Sequence, residues 1–333
     1  MMQLEENMTV ISAEALLSPH DPTGRKLQLP PISYPIRSPT MHPLAEIAGQ
    51  AAFEWGLAHG IYSEFKQETY RQIRVGPLVG LISPNGTPEG LKMSANWVLW
   101  LFAFDDHYCD ESAIGCSPEK TVSIITRLLG ILEGSPHGVH SGPFEASFAD
   151  FMRQFLDLAT PVQLARFQSS VGGYFLSMGW EALNRARSSV PQIPAYLHMR
   201  YHSGAVPTCV SQLDIIDAYE LSSVDYCDPD VEMLKRSAVN IICWSNDVLS
   251  YYKETKLSRV VHSLPTILQH HYGIGPQQSL ERTVAMHDTE VKSYIKVRDM
   301  VVERSNENLR YFIGGLDNWI VANFEWSILS GRY

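Results

Sequence analysis

The sequence predicts an all-α fold: one domain of antiparallel helices packed around an apolar cavity. Three observations lead there. Apolar residues recur at helical spacing from Pro43 onward. The breaks between those segments carry turn-forming residues. No stretch shows the alternation of a half-buried strand, and no segment repeats. With 333 residues, 45% of them hydrophobic and 19% charged, the chain can bury a large core.

Residues 1–42 hold prolines at 19, 22, 30, 31, 35 and 39 and little periodicity, so an extended N-terminal arm is expected there, with the helical domain over 43–333. Helices are expected over 43–60, 62–74, 92–108, 118–133, 144–158, 161–187, 192–219, 229–255, 277–310 and 315–330. Between them stand Ser83-Pro84-Asn85-Gly86 with Pro88-Glu89-Gly90, Gly134-Ser135-Pro136, Ser188 to Pro194, Cys227-Asp228-Pro229 and Gly273 to Pro276.

The net charge of −10, with no lysine- or arginine-rich run, argues against a nucleic-acid partner, which demands a basic surface. The opening Met-Met-Gln-Leu-Glu-Glu is acidic where a signal peptide would be basic. The longest apolar run, Ala95 to Phe104, is shorter than the roughly 20 residues that span a bilayer. No membrane association is expected, and the protein is expected to be soluble and cytoplasmic. Five cysteines, odd in number and without a Cys-x-x-Cys pair, suggest neither a disulfide framework nor a zinc site.

Two clusters carry chemistry. Segment 92–108 is apolar almost throughout and runs into Asp105-Asp106-His107-Tyr108-Cys109-Asp110-Glu111. Adjacent carboxylates where an interior meets an opening repel each other and lose hydration unless a cation neutralises them. Magnesium suits such a place, being hard, oxygen-seeking and commonly shared between carboxylates and substrate phosphates. A solvated acidic helix end would give the same letters. The second cluster is Asn246, Ser250 and Glu254, at i, i+4 and i+8. Each step of four residues overshoots a turn by only about 40°, so the three share one stripe. An amide oxygen, a hydroxyl and a carboxylate in a row offer hard donors to a second metal, with Lys253 beside them. Taken alone, the stripe is also the pattern of an ordinary polar helix face.

Together the two clusters resemble those of class I terpene synthases, the bacterial single-domain sesquiterpene cyclases most closely. Asp105-Asp106-x-x-x-Asp110 looks like the family's aspartate-rich motif. Asn246-Asp247-x-x-Ser250-x-x-x-Glu254 is similar to its second metal motif, 141 positions later. The resemblance extends from Pro30-Pro31-Ile32 to the end of the chain. Arg200, 46 positions before Asn246, falls where the family places its diphosphate-sensing arginine, and Arg332-Tyr333 closes the chain as the family's terminal Arg-Tyr pair does. The planar fork of arginine suits phosphate oxygens, although Arg200 alone could be a surface residue and Arg332 a frayed terminus. Gly204 stands at the family's effector position. Ser203 stands at its linker position, where aspartate is common. Gly204 and Pro207 predict a break in their helix.

The resemblance implies the class I α-fold and an enzyme, a carbon–oxygen lyase acting on phosphates. The implied substrate is an isoprenyl diphosphate, farnesyl diphosphate above all, with ten- and twenty-carbon chains left open. The implied cofactor is magnesium, three ions with bound diphosphate, held by Asp105, Asn246, Ser250 and Glu254. Asp106 is expected to bridge to Arg332 or Arg200, and Asp110 and Glu111 to lie further out. Arg200, Lys253, Arg332 and Tyr333 would neutralise the leaving diphosphate. The cation left behind needs weakly basic walls, for which Val98 and Phe102 on the face of Asp105, Trp326, Phe53 and Trp180 are candidates. Closure of loops at 75–92 and 222–231 would exclude water. A homodimer is expected by analogy only. The rival readings are a chain-elongating prenyl diphosphate synthase, which would show a second aspartate-rich motif, a helical metal-dependent hydrolase, and a lipid-carrying bundle indifferent to magnesium.

Overall fold

The computed structural model describes residues 9–11, 27–34, 39–109, 114–135, 142–257 and 262–330, with the side chains of 9–11, 256 and 257 excepted. Two short strands come first, β1 (Thr9–Ile11) and β2 (Ile32–Tyr34). Helices follow: α1 (Ala45–His59), α2 (Gln67–Gln72), α3 (Val75–Ile82), α4 (Pro88–Tyr108), α5 (Pro118–Leu132), α6 (Pro143–Leu158), α7 (Pro161–Arg187), α8 (Ile193–Ser203), α9 (Val206–Val210), α10 (Leu213–Ile216), α11 (Ser223–Tyr226), α12 (Pro229–Leu249), α13 (Tyr251–Leu257), α14 (Leu264–Tyr272), α15 (Pro276–Arg304) and α16 (Glu307–Leu329). The fold is all-α apart from the strand pair.

The long helices begin where their first residues dictate. Pro88, Pro118, Pro143, Pro161, Pro229 and Pro276 each open a helix, where the missing N–H costs nothing and the fixed φ is already helical. Side-chain caps reinforce several of these starts. Thr87 accepts from Gly90 N, Asp228 from Asp230 N and Val231 N, and Thr160 with Gln163 forms a reciprocal capping box. Gly60 and Gly273 end α1 and α14 in left-handed backbone, at φ of 68° and 62°.

Helix α12 packs along α15 and α16, α4 along α1 and α6, and α5 along α7. Helices α4 and α12 are buried along most of their length, which explains why their apolar residues are not confined to a single stripe. Tertiary contact also explains several departures from the expected boundaries. Segment 62–74 is a single 3-10 turn followed by the short α2, and 75–82, expected as part of a loop, is the wholly apolar α3. Segment 192–219 is split into α8, α9 and α10, and α14 occupies a stretch with no expected helix. The strand pair was not expected either. β1 runs antiparallel to β2 with Thr9 opposite Tyr34, and three residues per strand are too few for an alternation to register. β2 lies on α15, where Ser33 donates to Asp288 from both its N–H (3.1 Å) and its hydroxyl (3.0 Å).

Candidate active site

The acidic end of α4 and the oxygen stripe of α12–α13 line one cavity. Asp105, Asp106, Asn246, Ser250, Lys253 and Glu254 all face into it. The stripe keeps its line across the joint between the two helices because backbone bonds bridge it: Ser250 N–H donates to Asn246 O (2.8 Å) and Glu254 N–H to Ser250 O (3.0 Å). Ser250 Oγ donates to Glu254 Oε1 at 2.6 Å and also reaches Asn246 O at 2.7 Å, so two of the three donor groups are already held together. The Asn246–Ser250–Glu254 and Asp105 set is oxygen-only and mixes neutral with anionic groups. That chemistry suits a hard divalent cation sharing its charge with phosphate, rather than zinc or copper. Among the described residues no three His, Cys, Asp or Glu side chains cluster as a metal site, because amide and hydroxyl supply half of this set.

Arg200 reaches the same cavity from the last turn of α8. Its Nε donates to Asp247 Oδ1 at 2.8 Å, and its Nη2 lies 2.7 Å from the same oxygen. Nη2 also donates to Asn246 Oδ1 at 3.0 Å. Burial opposes the guanidinium charge, but the adjacent Asp247 carboxylate outweighs it and holds the arginine pKa well above its ordinary value. Asp247 is 1% exposed and takes two further bonds on its other oxygen: Tyr196 OH donates at 2.5 Å and Leu264 N–H at 2.8 Å to Oδ2. The residue next to the oxygen stripe therefore holds the cavity-lining Arg200 in place. Sequence reasoning missed this role, although Asp247 stands inside the motif.

The expected helix break is present. α8 ends at Ser203, Ala205 takes a left-handed conformation (φ 56°), and Pro207 sits in the first turn of α9. Gly204 has ordinary helical φ, so its glycine answers to space: a Cβ there would come within 2.4 Å of Cys243 Sγ. Ser203 is tied to the cavity by a hydrogen bond with Glu181. Burial alone would raise the pKa of Glu181, but Arg185, His262, Ser203 and Arg200 together bring it below the usual carboxylate value. Arg185 donates to Glu181 at 2.9 Å, and both line the cavity. Neither was picked out from the sequence, since their value lies in α7 meeting α8.

Much of the remaining lining is apolar: Val98, Phe102, Trp319 and Trp326, with Leu78 and Ile242. Phe102 stacks on Trp326 with ring centroids 5.0 Å apart, and the Trp326 indole N–H donates to Ile73 O. Two expected wall residues stand elsewhere. Phe53 is buried in the core under the Arg71 guanidinium (4.1 Å) and against Tyr62, because α1 turns that face toward 62–71. Trp180 is not on the lining; it packs behind it, 5.7 Å from the His262 ring. Of the two bridges expected for Asp106, to Arg332 or Arg200, the second is not formed here: Arg200 is engaged by Asp247 and Asn246, and Asp106 accepts from Tyr70 OH at 3.2 Å, while Arg332 lies outside the described residues. The 222–231 segment, expected as a loop, contains the one-turn α11 and the start of α12. Asp110, Glu111, Arg332 and Tyr333 lie outside the described residues.

Comparison with known proteins places this geometry. The family described as terpene synthase family 2, C-terminal metal binding, matches residues 96–293. The (+)-(1(10)E,4E,6S,7R)-germacradien-6-ol synthase of Streptomyces pratensis is 31% identical over 92% of this chain and 86% of its own length. The (+)-T-muurolol synthase of Roseiflexus castenholzii is 32% identical over 90% of this chain and 92% of its own. Among solved structures, the SVS_A2 protein from ancestral sequence reconstruction superimposes with a TM-score of 0.84 at 25% identity, covering 90% of both chains. Wild-type cucumene synthase, at 22% identity and a TM-score of 0.77 over 88% of this chain and 98% of its own, shares the fold. Sequence and helical architecture thus agree, and the chain belongs to the bacterial class I terpene synthases, lyases that act on diphosphate substrates.

Proposed function

We propose that this enzyme ionises farnesyl diphosphate in a magnesium-dependent reaction and cyclises the resulting cation to a sesquiterpene hydrocarbon or alcohol, releasing diphosphate. One observation carries the reading: Asp105, Asn246, Ser250, Glu254 and Arg200 line one cavity together with the apolar side chains of Val98, Phe102 and Trp326. The names of relatives support the substrate, since the T-muurolol and 4-epi-cubebol synthases are described as farnesyl diphosphate cyclising.

Asp105 on one wall and Asn246, Ser250 and Glu254 on the other would hold the magnesium. Bound there, it supplies positive charge that stabilises the departing diphosphate. The chain's own groups do the rest. Arg200, fixed by Asp247, presents its remaining N–H donors to the diphosphate, and Lys253 adds a second cation. Arg332 and Tyr333 complete that set in this reading. The Phe102–Trp326 stack offers π-faces to the cation, each worth roughly 0.5–2 kcal/mol. No side-chain nucleophile is required.

The test is incubation with geranyl, farnesyl and geranylgeranyl diphosphate, with magnesium or with chelator, following diphosphate release and volatile products by gas chromatography. Farnesyl diphosphate should give the fastest release, and chelation should abolish it. Chain growth on adding isopentenyl diphosphate would instead support a prenyl diphosphate synthase. Binding of isoprenoid without magnesium or turnover would support a carrier.

A further inference from the structure

Asn323 is the polar group on the cavity's aromatic wall that this mechanism leaves unused. It lies on α16 between Trp319 and Trp326, one turn from each, and lines the cavity while being only 6% exposed. A primary amide placed among indole and phenyl rings loses its hydration and ordinarily recovers it in good hydrogen bonds. Asn323 does not. Its side chain reaches Ser245 Oγ at 3.5 Å, well beyond a normal N–H···O distance. Ser245 commits its own proton to Ile242 O at 3.0 Å, so it can only accept from the amide, and among the described residues no donor reaches the amide carbonyl. The carbonyl of such a group is free to accept a hydrogen bond from a water that enters the cavity.

We propose that Asn323 holds and orients the water that terminates the carbocation, so that a major product is a terpene alcohol; this rests on the cyclase reading above. The amide carbonyl accepts one hydrogen of the water, turning an oxygen lone pair toward the ring formed over the Phe102–Trp326 stack. A C–O bond forms from that lone pair to the cationic carbon. The oxonium then loses one proton to the released diphosphate, leaving a neutral alcohol. Atoms and charge balance with water as the only co-reactant. The amide itself is a positioning group: it touches the water and keeps its own bonds. Its placement at the turn of Ser245, immediately before Asn246, puts the water near the diphosphate end of the cavity, where the proton acceptor is.

The experiment compares the wild type with Asn323→Leu and Asn323→Gln, each given farnesyl diphosphate in water enriched in oxygen-18, with diphosphate release measured alongside product mass spectra. The wild type should give an alcohol carrying the heavy oxygen. Among the products formed by Asn323→Leu, which fills the space without an acceptor, the alcohol fraction should fall at least about tenfold in favour of hydrocarbons. Asn323→Gln, which keeps an amide, should retain alcohol. A wild type that releases diphosphate but makes only hydrocarbon overturns the assignment, as does an unchanged alcohol fraction in Asn323→Leu. If the leucine variant does not fold, loss or retention of alcohol in Asn323→Ala decides in the same two directions. No diphosphate release by the wild type from any of the three prenyl diphosphates would overturn the cyclase reading itself, and this assignment with it.

Discussion

Glu254 and Asp247 are both acids on the same stretch of helix, yet they do different work, and their amides separate it. Glu254 is a part-buried member of the oxygen stripe whose bond from Ser250 a glutamine can still accept. Glu254→Gln should therefore melt within a degree or two of the wild type while losing roughly a hundredfold or more of turnover. Asp247 instead neutralises the buried Arg200. Asp247→Asn leaves that guanidinium without its counter-charge, and breaking such a pair costs about 3–5 kcal/mol. Turnover and melting temperature should fall together in this variant; a stable Asp247→Asn enzyme with full activity would show that Arg200 needs no anchor. The contrast also marks what can be read from letters alone. Asp105, Asn246, Ser250 and Glu254 could be singled out because helical spacing puts the last three on one stripe and the family resemblance pairs the two motifs; the structure brings all four to one cavity. Asp247, Glu181 and Arg185 could not, since their partners are Tyr196, Leu264 N–H, Ser203 and His262, brought in by elements whose positions no spacing encodes. Phe53 failed for the same reason in reverse: its type suited a cavity wall, and the facing of α1 decided otherwise.

At the scale of elements, the break between α8 and α9 is a packing device as much as a backbone one. Gly204→Ala puts a methyl group against Cys243 Sγ and within 3.2 Å of Arg200 Nη1, so it should lower the melting temperature and displace the arginine, reducing turnover at least tenfold. Adding Cys243→Ala removes the sulfur, and the double variant should recover stability beyond the sum of the single changes, as expected for residues in contact. Helices α15 and α16 are joined by a different device. Tyr294 OH donates to Asp317 Oδ1 at 2.7 Å, and burial, partly opposed by Arg298, pushes the Asp317 carboxyl up to about 7. An acid with a native pKa above its unfolded value near 3.9 binds its proton more tightly when folded. Its contribution to stability is full below about pH 4 and is lost as pH rises through 7. Asp317→Asn should then flatten the fall in melting temperature between pH 5 and 8, and stabilise the protein by a few degrees at pH 8. Equal slopes for variant and wild type would refute the link. These helices were legible from periodicity and from their opening prolines. The break after Ser203 was legible too, from Gly204 and Pro207, whereas the joint at Ser250 and helix α3 were not, because packing against other elements shapes them.

For the molecule as a whole, the question is whether the N-terminal segment is an appendage or part of the fold. Leu27, Leu29, Ile32 and Tyr34 are each less than 5% exposed. The Tyr34 ring lies between Phe324 of α16 (4.4 Å) and His287 of α15 (5.8 Å), and its hydroxyl faces Ser245 of α12. One residue of the segment thus meets three helices, two of which carry the cavity wall at Trp319, Trp326 and Ile242. An aromatic ring so enclosed is worth about 3–5 kcal/mol against alanine. Tyr34→Ala should lower the melting temperature by several degrees in a single transition, because the lost contacts belong to the same core as the helices. Removal of residues 1–34 should lower it further, again without a separate low-temperature step. The product spectrum gives an independent reading: Phe324 adjoins Asn323 in sequence, so loosening its packing should redistribute products from farnesyl diphosphate even where turnover persists. A truncated chain with the wild-type melting temperature and the same products would mean that the segment merely rests on a core complete without it.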